Sequence, residues 1–403
     1  MATTRRPSPA RQALRQPRVR RLFFARTISQ WGDTFNAVAL VVAVFRLTGS
    51  GLQVAITVAF EVVPVLLLGF VAGAVVDRYP RQRVMVAADI GRAAVAVALV
   101  IGHQRVGALY GAAFAFACFS VFFNPAASSL LPALVDDEAD VVGANSAIWS
   151  AAVLSQIVLA PVAGALVAFA GAGPAFAINA LSFVVSAVLL SGLHVPAVAR
   201  PLAARRLTEI TEGLRAVRSS RLLSTLAWVQ LLAALSAGAT SALLLVLAED
   251  HLDVGASRFG WLIGAIGIGA GFGPVLLGRF VDDVRRPRFL FGPYLLRGVV
   301  DWVLAASSSF GVAVGALAAY GVGTSVGNVT YQSTIQALVP DRLRGRVFTF
   351  YDVEWQTARL ASIAGGGLLA DRVGIRAVYF IGGALLLVAG GIGLARRGVP
   401  GRL

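Results

Sequence analysis

Gly73-Ala-Val-Val-Asp77-Arg78-Tyr-Pro-Arg81-Gln-Arg83 stands between two apolar runs and reads as a tight basic hairpin joining two membrane helices. It returns, altered, as Gly278-Arg-Phe-Val-Asp282-Asp-Val-Arg285-Arg286-Pro-Arg288. Asp77 and Asp282 are 205 positions apart in a chain of 403 residues. Arg92 and Arg297 each lie 15 residues beyond their aspartate. Ser129-Leu-Leu-Pro-Ala-Leu-Val135 is matched by Ser333-Thr-Ile-Gln-Ala-Leu-Val339 at nearly the same offset. The chain is therefore two copies of one membrane unit, and parallel repeats with a site at their interface are a transporter architecture.

Composition supports this reading. Hydrophobic residues make up 57% and charged residues 14%, against roughly 25% charged in ordinary soluble domains. Apolar runs of about 20 residues, enough to span a bilayer, recur along the chain. The net charge of +15 comes from 35 basic residues, all of them Arg. They fall between the apolar runs rather than on a soluble face, which argues against a nucleic-acid partner. The absence of Lys and the heavy use of Ala, Gly and Val suggest a G+C-rich bacterial genome. The single cysteine, Cys118, and three scattered His give neither a disulfide nor metal-ligand spacing. No metal or cofactor is expected.

The expected fold is all-α: twelve transmembrane helices in two pseudo-symmetric six-helix bundles. The first six spans fall at 22–47, 53–76, 84–103, 106–131, 142–170 and 174–194. The second six fall at 222–248, 257–280, 288–308, 310–335, 346–370 and 374–395. This divides the chain into residues 1–199, a bundle with a basic tail; 200–220, a linker; and 221–403, the second bundle. The linker has apolar residues at 207, 210, 214 and 217, the spacing of a short amphipathic helix at the membrane surface. Arginines gather on the side that receives the tail, the Asp77 hairpin, the linker and the C-terminus. By the positive-inside rule both termini are cytoplasmic, in a bacterial inner membrane. The first span reads as an uncleaved anchor.

With Gly73-x-x-x-Asp77-Arg78-x-x-Arg81 between spans 2 and 3, and its degenerate copy at Asp282, the chain resembles the major facilitator superfamily. Pro80 stands where that family usually has Gly, and Gln82 where it has a second basic residue. Within the superfamily the chain looks like the twelve-span exporters related to enterobactin and macrolide efflux proteins. The residues carrying this are Ser29-Gln-Trp-Gly32-Asp33, Leu47-Thr-Gly-Ser50, Asp89-Ile-Gly-Arg92 and Phe122-Phe-Asn-Pro125-Ala126. Ala160-Pro161-x-x-Gly164 echoes the span-5 motif of drug–proton antiporters. The resemblance implies a monomer that works by alternating access. It also implies that the Gly73, Asp77, Arg78, Arg81 and Asp282 loops form a cytoplasmic gate, joining the two halves when the protein opens outward. An aspartate can do so by capping the N-terminus of a facing helix, and span 11 is the expected partner of Asp77. Arg81 and Arg83 also serve topology.

Ionisable groups inside spans are functional candidates by default. In span 1, Arg26, Ser29, Gln30, Asp33 and Asn36 fall on one side of an otherwise apolar helix and read as a cavity wall. Asp33 can bind and release a proton; its structural alternative is a hydrogen-bond acceptor paired with Arg359. Glu61, just before Pro64, is a second proton candidate or else an outer-vestibule carboxylate. Asp89/Arg92 and Arg297/Asp301 are spaced to pair along one helix, which makes them structural ion pairs; Asp301 becomes a third proton site if it faces the cavity. Substrate-cavity candidates are Asn145, Trp149 and Gln156 in span 5, Asn328 and Tyr331 (with Thr324) in span 10, and Trp355, Gln356 and Arg359 in span 11. Asp352 and Glu354 lie near a cytoplasmic gate. Aromatics with a few placed polar groups suit an amphipathic organic substrate.

The reading is a proton-coupled exporter of small amphipathic molecules, drug-like or siderophore-like, whose partners are substrate, protons and the bilayer. An importer or uniporter of the same fold is an alternative, as is a non-transporting receptor or scaffold. An intramembrane enzyme would need a paired nucleophile and base, or metal ligands, and the sequence offers neither. The Gly-rich span 8 lacks the Lys-Ser/Thr ending of a phosphate loop.

Overall fold

The computed structural model describes residues 14–135, 138–193, 206–280 and 286–396. The gate residue Asp282 and the tail residues 1–13 lie outside the described residues, as does the side chain of Asp77. Among the described residues there is no strand. The first half contains α1 (Pro17–Thr48), α2 (Gly51–Arg78), α3 (Arg81–Gly102), α4 (Val106–Leu130), α5 (Glu138–Ala170) and α6 (Ala172–Ser191). After α7 (Arg206–Ser219), the second half contains α8 (Arg221–Ala242), a short α9 (Leu244–Asp250), α10 (Ala256–Phe280), α11 (Pro287–Ala306), α12 (Phe310–Leu338), α13 (Asp341–Val373) and α14 (Ile375–Ala395).

Local chemistry sets the breaks. Pro17 opens α1, where its missing N–H costs nothing. Gly49 closes it at φ 61°, a left-handed conformation that only a residue without Cβ adopts freely. Ser50 then caps α2, accepting from the Gln53 N–H at 3.3 Å. Gly374, at φ 101°, separates α13 from α14. The seventh span, expected to run unbroken over 222–248, is interrupted at Leu243. There the Tyr379 hydroxyl donates to the Thr240 carbonyl at 2.6 Å, and an inserted side-chain donor is a common cause of a broken helix ladder.

Eleven described helices are long and apolar enough to cross a membrane. The expected eleventh span, α13, is not among them. It is 33 residues long but carries charges along its length, including Arg359 and Asp371. What places it in the bundle is packing. In the first half α1 packs on α5 and α6, α3 on α6, and α4 on α2 and α3. In the second half α8 packs on α13 and α14, α11 on α14, and α12 on α10 and α11. The two patterns are the same, with α13 standing where α5 stands. The halves meet through α2 with α13 and α5 with α10, themselves an equivalent pair of contacts.

Both meetings include one end of the bundle, and that of α5 with α10 runs on as far as Gly271 beside Val153. A Cβ on Gly164 would strike the Ala256 carbonyl, and one on Gly260 the Ala160 carbonyl and Pro161. The helices therefore touch backbone to backbone, as small residues permit in membranes. At this distal end, away from the chain termini, a single apolar core joins both halves, including Val44, Val54, Ala163, Leu245, Phe259 and Ile363. At the terminal end the core splits. One cluster, around Leu22, Met85 and Leu131, belongs to the first half alone; the other, around Leu223, Tyr294 and Val347, belongs to the second. The molecule is closed distally and parted at the end that carries its termini. α7 lies at the parted end on α13, with Arg346 and Glu212 in a 2.5 Å ion pair.

Gly260→Val should lower the thermal unfolding midpoint in detergent, because overpacking a tight contact costs about 1–3 kcal/mol. Gly111→Val, where a Cβ meets nothing within 4 Å, should leave the midpoint unchanged.

Candidate functional site

Two chambers are stacked along α11, the first between the halves and the second within the second half with Trp149 of α5 at its edge. The distal one holds about 420 Å³ and is lined by Glu61 from α2, Gln156 from α5, Asp301 from α11, Tyr320 from α12, Arg359 from α13 and Tyr379 from α14, among apolar neighbours. The other, about 340 Å³, is lined by Trp149, Gln230, Tyr294, Arg297, Thr324, Asn328, Tyr331 and Trp355. Seven of the helices thus contribute polar side chains to spaces the size of small-ligand pockets.

The chambers collect many of the sequence candidates but not all. Ala37 of α1 lines the distal chamber, and Gln30, Asp33 and Arg26 follow it down the same helical face. Asn36 does not share that face. At about 100° per residue it stands about 120° round from Gln30. It is 9% exposed, on the buried side with Ser29 and Gly32, and a Cβ on Gly32 would strike Asn179 and Ser182 of α6. Ser362 is likewise buried, bridging to the Leu235 carbonyl at 2.5 Å and the Ala239 N–H at 3.0 Å of α8. Gln356 buries its Oε1 without a hydrogen-bond partner among the described residues. Asn145 is exposed one turn before Trp149.

Charges in the interior are arranged in linked groups. Arg359 shares the distal chamber with Glu61, and among the described residues no ion pair joins Arg359 to Asp33. Asp33 instead feels Arg92 and Asp89 of α3, and its own charge reaches Glu61. Asp89 and Arg92 form the expected ion pair. Ser186 of α6 donates to Asp89 at 2.7 Å, and the Arg92 guanidinium lies over the Phe123 and Phe183 rings at 4.2 and 4.5 Å. Arg297, at the equivalent position in the second half, is arranged differently. It donates to the Tyr320 hydroxyl at 2.8 Å and lies 4.6 Å from that ring's centre. Asp301 accepts from Ser236 at 3.4 Å and faces the distal chamber. The expected Arg297/Asp301 pair is thus divided between two partners, because each side chain reaches a polar group on a neighbouring helix.

Two described donors of the hairpin, Arg81 and Gln82, act within its own half. α2 ends at Arg78 and α3 begins at Arg81. Arg81 donates to the Ser129 carbonyl at 2.8 Å, and Gln82 to the carbonyls of Leu190 and Ser191, both at 2.9 Å. Together they cap the C-terminal ends of α4 and α6, where donors are favoured. Gln82 supplies this without the charge usual at its position.

A residue that the sequence did not single out holds the distal end. Asp371, at the end of α13, accepts from the Ser50 hydroxyl at 2.7 Å and from the Leu52 N–H at 3.2 Å. A carboxylate of one half thus caps the positive N-terminus of α2 in the other. This inverts the arrangement expected for Asp77 on span 11. Burial, helped by the nearby Asp371 charge, raises the Asp250 carboxyl above its usual range. From sequence, Asp371 looked like any other charge at a span end. Tyr320 was legible: it stands one turn before Thr324 on the polar line of α12. Tyr379 is an isolated polar residue in an apolar stretch and Ser236 one of several small polar residues of α8, and only contact reveals their partners.

A helical membrane bundle of two matched halves, parted at one end and holding charged chambers, is the architecture of a secondary transporter. A family model of the major facilitator superfamily, described as transmembrane secretion effector, matches residues 9–400, and the chain belongs to that family. It is 29% identical over 384 residues to the uncharacterized MFS-type transporter YfiS of Bacillus subtilis, covering 92% of this chain and 90% of the relative. It is 28% identical over 388 residues to the multidrug efflux pump Tap of Mycobacterium tuberculosis, covering 92% and 91%. Its fold matches the crystal structure of a bacterial homologue of the iron transporter ferroportin in an inward-facing state, with a TM-score of 0.73 at 19% identity over 94% of this chain and 98% of that one.

Asp371→Ala should loosen the distal closure. With Cys118→Ser and a reporter Val54→Cys, buried in the joined core at 0% exposure, an impermeant maleimide should react roughly tenfold faster once the cap is lost, since hydrogen bonds to a charged group are worth about 1.5–3 kcal/mol. Mass spectrometry of the labelled chain gives the rate.

Proposed function

We propose that this transporter is a proton-coupled exporter of small amphipathic organic molecules, working as a monomer in the bacterial inner membrane with both termini in the cytoplasm. The observation that carries the reading is that Glu61 and Asp301, carboxylates from opposite halves, face one chamber that also holds Arg359. Intramembrane carboxylates at such a position are the usual carriers of protons in transporters. In this reading the parted end is the cytoplasmic face and substrate enters from there. Aromatic residues of the second chamber, Trp149, Tyr331 and Trp355, contact the apolar body of the substrate, while Asn328 and Gln230 orient it. Proton binding at Asp33 or Glu61 changes the field around Arg359 and Arg92, and so links proton entry to the exchange between closed ends. The similarity to a multidrug efflux pump supports the outward direction.

The test is collapse of the proton gradient in inside-out vesicles on addition of lipophilic cations and macrolides. The wild type should discharge the gradient, and both Asp33→Asn and Glu61→Gln should abolish the discharge while reaching the membrane at normal levels. Discharge that survives both substitutions moves the proton site to Asp301, to be checked with Asp301→Asn; survival there as well rejects carboxylate coupling in this chamber. The absence of any discharge, with direct efflux of the same compounds intact, rejects proton coupling itself.

A further inference from the structure

A third space lies outside the transport path. α4 packs along both α2 and α3, whereas α2 and α3 touch each other little after their hairpin. The result is a crevice between α2 and α3 with α4 as its floor. It holds about 410 Å³ and is walled by Val75, Val84, Ala87, Cys118, Phe119 and Phe122. Its floor is fixed: a Cβ on Gly91 would strike the Phe119 ring, so α3 and α4 are in direct contact there.

The crevice opens toward lipid. On α3 the residues Arg83, Ala87, Ile90, Ala94 and Val97 are all exposed and form one line along the helix. Ile90 is 58% and Val97 54% exposed, and everything on that line beyond Arg83 is apolar. Such a face is stable only against acyl chains. Arg83 and Tyr79 close the crevice at the terminal end, with Tyr79 57% exposed. Tyr at this level is typical of the membrane interface. Arg78 is exposed on the same hairpin. An apolar slot inside the membrane, with an arginine at its mouth at headgroup depth, is complementary to one kind of molecule: a chain-bearing amphiphile with a negative head.

We infer that this crevice is a binding site for an anionic phospholipid of the leaflet on the side of the termini, with one acyl chain against Phe119 and Phe122 and its phosphate on Arg83. Basic pockets beside transmembrane helices recognise headgroups in this way. The site stands on the hairpin that clamps α4 and α6, so an occupied crevice braces the first half without entering the chambers. The inference does not depend on the direction of transport or on proton coupling.

Cys118, the sole cysteine of the chain, lies in the wall of the crevice and reports on it. The experiment measures alkylation of Cys118 by N-ethylmaleimide in the full chain, in mixed micelles containing phosphatidylglycerol or phosphatidylcholine. Phosphatidylglycerol should slow the reaction and phosphatidylcholine at the same mole fraction should not. Arg83→Ala should raise the phosphatidylglycerol fraction needed for half protection about fivefold, the contribution of one basic side chain at an anionic surface, and Arg83→Lys should largely restore it. A reporter Val188→Cys in a Cys118→Ala chain, on the lipid-facing side of α6 at 66% exposure, should show no such preference. Equal protection by both lipids, or protection unchanged by Arg83→Ala, overturns the inference. Protection by a lipophilic cation but not by phosphatidylglycerol overturns it too, and makes the crevice a lateral port for substrate.

Discussion

Backbone-to-backbone contact between the two halves at the distal end is the constraint on which the rest of the structure depends. In lipid there is little hydrophobic drive to press helices together, so close approach needs residues without bulk. Gly164 against Ala256 and Gly260 against Ala160 provide it between α5 and α10. Between α2 and α13 the contact is completed by the Asp371 carboxylate on the N-terminus of α2. With these contacts made at one end, the halves diverge toward the other. That divergence leaves two separate cores at the terminal end, while the distal chamber lies within the joined core.

Buried charge is the second organising constraint. An isolated ion in this interior is costly, and partners reduce the cost. The two repeats place an arginine at equivalent positions and then treat it differently. Arg92 is enclosed by Asp89 and two phenylalanine rings, with Ser186 bound to the carboxylate. Arg297 is held by Tyr320, which leaves Asp301 turned toward the chamber with only a long bond from Ser236. The first arrangement saturates its carboxylate; the second leaves one available. The equivalent positions of the two halves thus hold an ion pair in one and, in the other, a buried carboxylate at the edge of the distal chamber.

The motif hairpin has a comparable double character. Its donors cap the ends of α4 and α6, which fixes the first half as one body. Its position at the parted end leaves Arg78 exposed. The same hairpin spreads α2 from α3 and opens the lipid-side crevice. One short turn therefore bears on internal rigidity and on the crevice at the lipid side.

The sequence by itself determined the crossings, the repeat and the sidedness of the arginines. Hydrocarbon excludes charge and forces every backbone group to bond within its own helix, so these features are written locally, as runs and interruptions. α13, too charged to count as a span by composition, is placed in the bundle by its packing. Helical spacing also located much of the chamber wall: Trp149, Gln156, Asn328, Tyr331, Trp355 and Arg359 all line it. Only the tertiary structure decided that Asn36 and Ser362 face neighbouring helices, that Arg359 shares a chamber with Glu61, and that Asp371 binds across the distal end. Those facts depend on how helices far apart in sequence are rotated and how closely they approach. A shift of one residue in register, about 100° around a helix, moves a side chain from chamber to interface without changing any local pattern.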